Sequence, residues 1–449
     1  MPNPASTPFP QPNPNFSSQL PTAPKTRTVL LRQWISLSLL VLIGIVCILD
    51  RSTLALANSD VSRDLKLDPA KMGLLLSGFS IAYSLSQLPL GIILDRLGAR
   101  LVLGAGLLLW SIAQLCGGFV HTLRQFMVAR IFLGIGESPT YPAGAKVIAE
   151  WFNQRERGRP TGIFLASPTI APALAPPIIT GLMLAFGWRR MFIIMGAAGI
   201  VLAAIWYLLM RDRKHVSLTP AESAYFDSTN DIAALQRTLS LNEWLQLFLQ
   251  PSTWGIVGGF VGVIYTIWLY INWLPGYLEF ERHLTVARTG WVASIPYLFG
   301  TLGALACGWA ADFLLSRGFS PIDSRKWPIC VGLVGTALFT ILVAFTPNTV
   351  TAVIYLCFVM FFIYLASAGA WALVNVAAPN HMVAAVGCLQ NFGGYLGGSF
   401  APVVTGFLVK HTHSFAGSLV LSSAVSFISA LVYFTLVTHP IRDSNAARS

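Results

Sequence analysis

The chain has 449 residues, of which 55% are hydrophobic and only 10% are charged. Soluble domains carry about 25% charged residues, so the composition excludes a soluble protein and indicates a membrane protein with many spans. The formal net charge is +11, but the basic residues lie in short loops and not in aromatic-laced patches. This pattern argues against a nucleic-acid partner and indicates the lipid bilayer.

The apolar runs divide the chain into two sets of six. Residues 1–33 begin with a Pro-rich polar stretch, which predicts a disordered tail. Residues 34–210 then hold six predicted spans, and residues 211–250 form a polar connector. Residues 251–438 hold six more, and residues 439–449 form a second tail. Each run has roughly 20 residues, enough to cross the bilayer as a helix. The predicted spans lie near 34–57, 72–94, 101–120, 125–149, 160–183, 190–210, 252–275, 289–315, 327–346, 350–376, 385–409 and 416–438.

The loop charges set the expected topology. Most basic loop residues fall on one side if both termini are cytoplasmic, as the positive-inside rule requires. We therefore expect both tails in the cytoplasm.

The two halves repeat short motifs. Gly91 and Asp95 end the second span, and Gly308 and Asp312 repeat that spacing at the end of the eighth. Residues 175–181 (APPIITG) in the fifth span resemble residues 400–406 (FAPVVTG) in the eleventh. These matches predict an internal duplication, with a substrate site at the interface of the repeats near the bilayer midplane.

Several motifs together resemble the major facilitator superfamily. Its signature loop matches Gly91, Asp95, Arg96, Gly98 and Arg100. Within the superfamily the chain resembles the anion:cation symporter family. That resemblance is carried by residues 49–54 (LDRSTL), 130–139 (RIFLGIGESP), 151–158 (WFNQRERG), 187–192 (GWRRMF), 273–278 (WLPGYL) and 391–394 (NFGG).

The resemblance implies an all-α fold of twelve transmembrane helices in two pseudo-symmetric six-helix bundles. It implies a secondary active transporter in a bacterial inner (plasma) membrane, importing an organic anion by alternating access. Hexuronates, aldonates and aldarates are the expected substrate class, with protons as the coupling ion and no other cofactor. We expect a monomer.

Charged residues interrupt the apolar N-terminal half at Asp50, Arg51, Arg130 and Glu137 and suggest a polar path. Charges in hydrocarbon are costly unless they are paired or face water. Helical rise places Asp50, Arg51 and Arg130 at about the same depth, and Glu137 roughly 10 Å deeper on the same face as Arg130. We expect Arg130 to pair with Asp50, leaving Arg51 free to bind a substrate carboxylate. The resemblance likewise implies that Asp50 and Glu137 couple protons and that Arg51 binds the anion.

Simpler interpretations of these charges remain open. Asp50 and Arg51 could neutralise each other, although neighbours on a helix point about 100° apart. Glu137 could instead tie two helices together, and Arg130 could be structural or could contact substrate.

The C-terminal half can supply only uncharged ligands, because residues 327–409 contain no Asp, Glu, Lys or Arg. Candidate groups for substrate hydroxyls are Tyr83, Gln87, Tyr265, Asn272, Trp371, Asn375, Gln390 and Asn391, of which Tyr83 and Asn391 match family positions. Each could equally be an ordinary contact between helices. Ser167, Pro168 and Thr169 depart from the glycine or amide expected in sugar-acid transporters.

A further group lies at the predicted cytoplasmic ends of the spans. By resemblance, Gly91, Asp95, Arg96, Gly98, Arg100, Arg157 and Asp312 form gating contacts that hold the halves together when the protein opens outward.

Two alternatives stay in view. One is a transporter of an aromatic or dicarboxylic anion, or an exporter. The other is a membrane enzyme or receptor that transports nothing. The sequence disfavours an enzyme because its seven histidines lie in loops or at span ends and no Gly-rich phosphate loop is present.

Overall fold

The computed structural model describes residues 26–153, 156–213, 216, 219, 220, 222, 241–379 and 382–441. In these residues the regular structure is helical throughout, and no strand is present. Residues 1–25 and 442–449, and most of the connector, lie outside the described part, so the predicted disorder of the first tail is not addressed there.

The described residues of the N-terminal half form eight α-helices. They are α1 (Arg27–Leu56), α2 (Asn58–Asp64), α3 (Pro69–Leu97), α4 (Ala99–Gly117), α5 (Leu123–Glu137), α6 (Thr140–Trp151), α7 (Gly158–Phe186) and α8 (Trp188–Leu209).

A short helix, α9 (Leu241–Phe248), precedes the C-terminal half. That half contains α10 (Pro251–Phe280), α11 (Val286–Val292), α12 (Ser294–Ser316), α13 (Pro321–Phe345), α14 (Thr349–Ala377), α15 (Val383–Gly398), α16 (Phe400–Thr412) and α17 (Ala416–Leu436).

These helices make up the twelve predicted spans. Ten of them, counting α11 with α12 and α15 with α16 as single spans, are long and apolar enough to cross a membrane. The remaining two are α3, with 29 residues, and the pair α5 and α6, which a short turn divides. The fold class predicted from sequence is confirmed.

Local signals in the sequence explain where helices begin and turn. The side chains of Thr26, Asp68 and Thr122 each accept a hydrogen bond from a backbone N–H in the first turn of the following helix. Gly98 and Gly187 have φ angles of 84° and 80°, which permit the tight links between α3 and α4 and between α7 and α8. Gly98 of the signature loop therefore has a conformational role.

One boundary of the predicted tail is wrong. The tail was expected to extend to residue 33, but α1 begins at Arg27. The cap is the reason, because the hydroxyl of Thr26 accepts a hydrogen bond from the N–H of Val29 at 3.3 Å and starts the helix early. Within the predicted connector, residues 241–248 form the short helix α9.

The two halves meet closely at one end of the bundle. We call the end at which α1 begins and α17 ends the tail face, and the opposite end the far face. At the far face, a side chain on Gly73 would lie 2.6 Å from the carbonyl oxygen of Pro402, and one on Gly406 would meet Pro69. Small residues thus let α3 and α16 pack backbone to backbone.

Polar contacts reinforce this closure of the far face. Lys410 pairs with Asp68 at 3.1 Å, and Ser59 donates a hydrogen bond to Glu279. The backbone N–H of Lys71 and the ammonium group of Lys410 hold the pKa of the Asp68 carboxyl below its usual value, so the pair persists at neutral pH. At the tail ends of α3 and α12, by contrast, Arg96 and Asp312 are exposed.

Replacing Gly73 with leucine should prevent full closure of the far face, because the new side chain would overlap the backbone of α16. Electron–electron distance measurements between spin labels at Lys71 and His411, in a background without the six native cysteines, should show a population with a longer distance between the labels. Gly181→Leu is the matched control, since nothing lies within 4 Å of a side-chain carbon there. An unchanged distance distribution in Gly73→Leu would contradict this packing.

Candidate functional site

A kink between α5 and α6 positions Glu137 in the interior. Pro139 has no N–H to donate to the carbonyl oxygen of Ile135, and the hydroxyl of Ser138 donates to that oxygen instead, at 2.9 Å. Glu137 is the last residue of α5 and is completely buried. The sequence Glu-Ser-Pro therefore ends one helix at a carboxylate in the middle of the bundle.

Glu137 forms an ion pair with Arg51 of α1. The Arg51 Nε atom donates to Glu137 Oε2 at 2.6 Å, and Arg51 is only 7% exposed. The thiol of Cys47 donates to the same oxygen at 3.3 Å. Because Cys47 and Arg51 are four residues apart, they lie on the same face of α1 and reach the carboxylate together.

Aromatic rings from both halves surround the Arg51 guanidinium. Its Cζ atom lies 4.6 Å from the ring centre of Tyr83, 5.4 Å from that of Phe79 and 6.0 Å from that of Trp268. Tyr395 of α15 extends this ring cluster, with its ring centre 5.3 Å from that of Tyr83. Phe79, Tyr83, Trp268 and Tyr395 are the ring cluster referred to below. Cation–π attraction stabilises a buried arginine in such surroundings.

The predicted pair between Asp50 and Arg130 does not form in this conformation. Within the described part of the chain, neither carboxylate oxygen of Asp50 has a hydrogen-bond partner, nor have Nε and Nη1 of Arg130. The Arg130 guanidinium lies 4.9 Å from the ring centre of Phe79 instead. The expectation that Arg51 is free was also wrong, since Arg51 is the residue that forms an ion pair.

The error has a geometric cause. Depth along the membrane follows from the helical rise, but the direction of a side chain around the helix does not. Asp50 and Arg51 point about 100° apart, so only one of them can face Glu137. Packing of α1 against α6 and α7 turns Arg51 towards Glu137, and Asp50 lies towards the buried Trp110.

Two predicted amides join the halves. The Nδ2 atom of Asn391 on α15 donates to Gln87 Oε1 on α3 at 2.7 Å. Gln87 lies one turn beyond Tyr83 on α3, just as Tyr395 lies one turn beyond Asn391 on α15. The ring contact and the amide contact therefore lie one helical turn apart between the same two helices.

Other predicted ligands lie elsewhere. Trp371 and Asn375 are exposed on α14, where Asn375 donates to the carbonyl oxygen of Trp371 at 3.3 Å. The structure does not bring them to Arg51. Asn272 donates to the carbonyl oxygen of Trp268 at 2.8 Å, while Tyr265 is 6% exposed. Gln390 is completely buried, and neither amide atom has a partner among the described residues.

Sequence reasoning missed four residues of the site: Cys47, Phe79, Trp268 and Tyr395. Helical spacing could have found all four. Cys47 precedes Arg51 by four residues, and Phe79 precedes Tyr83 by four. Trp268 precedes Asn272 by four, and Tyr395 follows Asn391 by four.

Two of the predicted gating residues, Arg100 and Arg157, make contacts within the N-terminal half. The Arg100 side chain donates to the carbonyl oxygen of Tyr207 at 2.7 Å, and its backbone N–H donates to Asp212 at 3.1 Å. Arg157 donates to the carbonyl oxygens of Ala149 and Phe152. The surroundings of Gly91 and the side chain of Asp95 lie outside the described part. A gating role in the opposite conformation stays a prediction.

Comparison with known proteins settles the family. The model of the Major Facilitator Superfamily matches residues 40–402. The chain belongs to this superfamily. It is similar to the probable L-galactonate transporter of Escherichia coli strain K12, with 43% identity over 435 residues covering 96% of each chain. It is also 32% identical, over 404 residues, to the probable galactarate/D-glucarate transporter of the same strain, covering 86% of this chain and 90% of the relative.

A solved structure supports the fold of this transporter. A bacterial homologue of the human lysosomal transporter Spinster, in an inward-facing and unoccupied conformation, superposes with a TM-score of 0.75 at 17% identity. The match covers 92% of this chain and 98% of that one. The prediction of a transporter, and not an enzyme, is confirmed.

The amide contact between the halves should be measurable as a coupling. Gln87→Ala and Asn391→Ala should each lower the melting temperature, and the double variant should fall no further than the worse single variant. A hydrogen bond of this kind is worth about 0.5–1.5 kcal/mol, and only partners in contact show such non-additivity. Fluorescence-monitored melting of the purified transporter measures it, and additive effects would contradict the contact.

Proposed function

We propose that this transporter imports a sugar acid together with protons by alternating access. The observation that supports this most is the buried ion pair between Arg51 and Glu137 at the interface of the halves. The names of the relatives, which include galactonate, galactarate/D-glucarate and hexuronate transporters, support the substrate class.

The ion pair gives a physical reason for coupling. Arg51 donates its Nε to Glu137, and its Nη2 is buried without a partner among the described residues. A substrate carboxylate bound to the same guanidinium would therefore lie close to the Glu137 carboxylate. Two like charges about 4 Å apart repel by about 4 kcal/mol at an effective dielectric constant of about 20. A proton on Glu137 removes that repulsion and releases Arg51. Substrate and proton therefore favour each other's binding.

The amide and ring contacts between α3 and α15 suit the hydroxyl-bearing part of a sugar acid. Gln87 and Asn391 offer amide donors and acceptors one helical turn from Tyr83, about 5 Å along the axis. Hydroxyls of the substrate can replace the bond between these two amides. A carboxylate held by Arg51 and a polyol chain held by amides from both halves match the two ends of an aldonate or hexuronate.

The closed far face defines where this conformation lies in the cycle. Basic residues favour the tail face as cytoplasmic, which places both termini in the cytoplasm of a bacterial inner membrane. The contacts at Gly73, Lys410 and Glu279 then close the outer side. Opening of that side lets protons reach Glu137 and Asp50 and lets the anion reach Arg51. The monomer performs the whole cycle.

The ring cluster favours a second candidate, an aromatic or dicarboxylic anion. Four aromatic side chains beside an arginine can also stack on a flat carboxylate ligand. A thermal-shift panel of L-galactonate, D-galactonate, galactarate, a hexuronate and benzoate separates the candidates. Stabilisation by benzoate alone would favour the second.

Arg51→Lys should weaken binding of the stabilising sugar acid about 10- to 100-fold, since lysine keeps the charge but loses the planar donor fork. Arg51→Ala should abolish binding. Titration calorimetry of the purified protein measures both. Arg63→Ala is the control, because Arg63 lies at the far face and is 80% exposed. Normal affinity in Arg51→Ala would refute the role of Arg51 as ligand.

Glu137→Gln should keep substrate exchange but lose accumulation driven by a pH gradient, because glutamine mimics the protonated acid and cannot titrate. Proteoliposomes loaded with substrate measure exchange, and empty ones with an imposed pH gradient measure accumulation. Glu281→Gln is the control, since Glu281 accepts hydrogen bonds from Ser414 and Phe415 at the far face. Accumulation at the parental level in Glu137→Gln would exclude proton coupling through this residue.

A further inference from the structure

Glu137 is held by a second residue of α1 besides Arg51. Cys47 is completely buried, and its Sγ atom lies 3.3 Å from Glu137 Oε2, the same oxygen that accepts from Arg51. The other oxygen, Oε1, is buried without a partner among the described residues. Both donors thus act on one side of the carboxylate.

We propose that Cys47 is a positioning residue that holds Glu137 in place while Arg51 binds the substrate. The inference rests on the proposed function, because it concerns the step in which Arg51 leaves Glu137. An unheld carboxyl could then rotate away from the site. A thiol on the preceding turn of the same helix keeps Oε2 as an acceptor and fixes the side chain.

The two carboxyl oxygens of Glu137 have different roles in this arrangement. Oε1 has no donor and is the oxygen that can take the proton. Oε2 continues to accept from the thiol, since a protonated carboxyl keeps acceptor capacity at its other oxygen. The thiol carries no charge when protonated, so it does not compete with Arg51 for the incoming anion.

Cys47 also affects how readily Glu137 takes a proton. A donor to a carboxylate favours its charged form, and a thiol is a weak donor compared with a hydroxyl. The other charged or titratable groups around this centre are Asp50, Arg51, Arg130, Tyr83, Tyr141 and Tyr395. None of them changes when only the donor strength at position 47 is altered.

Two substitutions at Cys47 should shift the pH dependence of uptake in opposite directions. Cys47→Ala removes the donor, so Glu137 takes a proton at higher pH. The pH at which the uptake rate is half-maximal therefore rises. Cys47→Ser supplies a stronger donor and lowers that pH. Each shift should be about 0.3–1 pH unit, the size expected of one hydrogen bond. Initial uptake rates in proteoliposomes over a range of external pH measure both shifts.

Matched controls separate this role from general effects of losing a thiol. Cys330 is also buried and lies 3.7 Å from the carbonyl oxygen of Ala430, away from the site. Cys330→Ala and Cys330→Ser should leave the pH profile unchanged. Identical profiles in the two Cys47 variants and the parent, or shifts in the same direction in both variants, would overturn the proposal.

The outcome is separable from a failure of the proposed function. If Glu137→Gln abolishes the pH dependence while both Cys47 variants keep the parental profile, only the role of Cys47 is wrong. If Glu137→Gln leaves the pH dependence intact, proton coupling through Glu137 itself is wrong. Substrate exchange at constant pH confirms that each variant is folded.

Discussion

The ion pair between Arg51 and Glu137 is the interaction on which the rest of the site depends. Burying two charges costs several kcal/mol for each ion unless geometry and further hydrogen bonds compensate. Here a bond of 2.6 Å, a thiol donor and a ring cluster supply that compensation. The kink after Glu137 places the carboxylate within reach of α1. The local backbone of α5 and α6 is therefore arranged around this pair.

The two halves contribute different kinds of side chain to the site. The charged residues of the centre all come from α1 and α5, whereas α10 and α15 contribute rings and an amide. Hydrogen bonds and ring contacts can be exchanged for substrate at small cost, while a buried charge cannot easily move. This division suits the proposed alternating access, in which the C-terminal half would move against a fixed charged centre. The backbone contacts at Gly73 and Gly406 lie on the side that must separate.

The fold could be predicted from sequence more completely than the site. Hydropathy and loop charge indicate twelve spans because the bilayer imposes length and composition on every helix. Charged and polar residues inside the spans, together with the family resemblance, pointed to Arg51, Glu137, Tyr83, Gln87 and Asn391. The prediction from sequence paired the charges wrongly, since residue spacing along one helix says nothing about how that helix is turned against another. Only packing of α1 against its neighbours α6 and α7 decides that Arg51, and not Asp50, meets Glu137.

Asp50 and Arg130 complete the charge balance of the centre. Asp50 and Arg130 are buried without a direct hydrogen bond between them, yet together with Arg51 and Glu137 they give two acids and two bases, so the centre is neutral when both acids are ionised. Under the proposed coupling, a bound monoanion would make the centre negative and one proton would restore neutrality. A dianion such as an aldarate would need two protons, and Asp50 and Glu137 are the two acids proposed to take them. Because net charge is most costly in a low dielectric, the proposed coupling matches each anionic charge of the substrate with one proton.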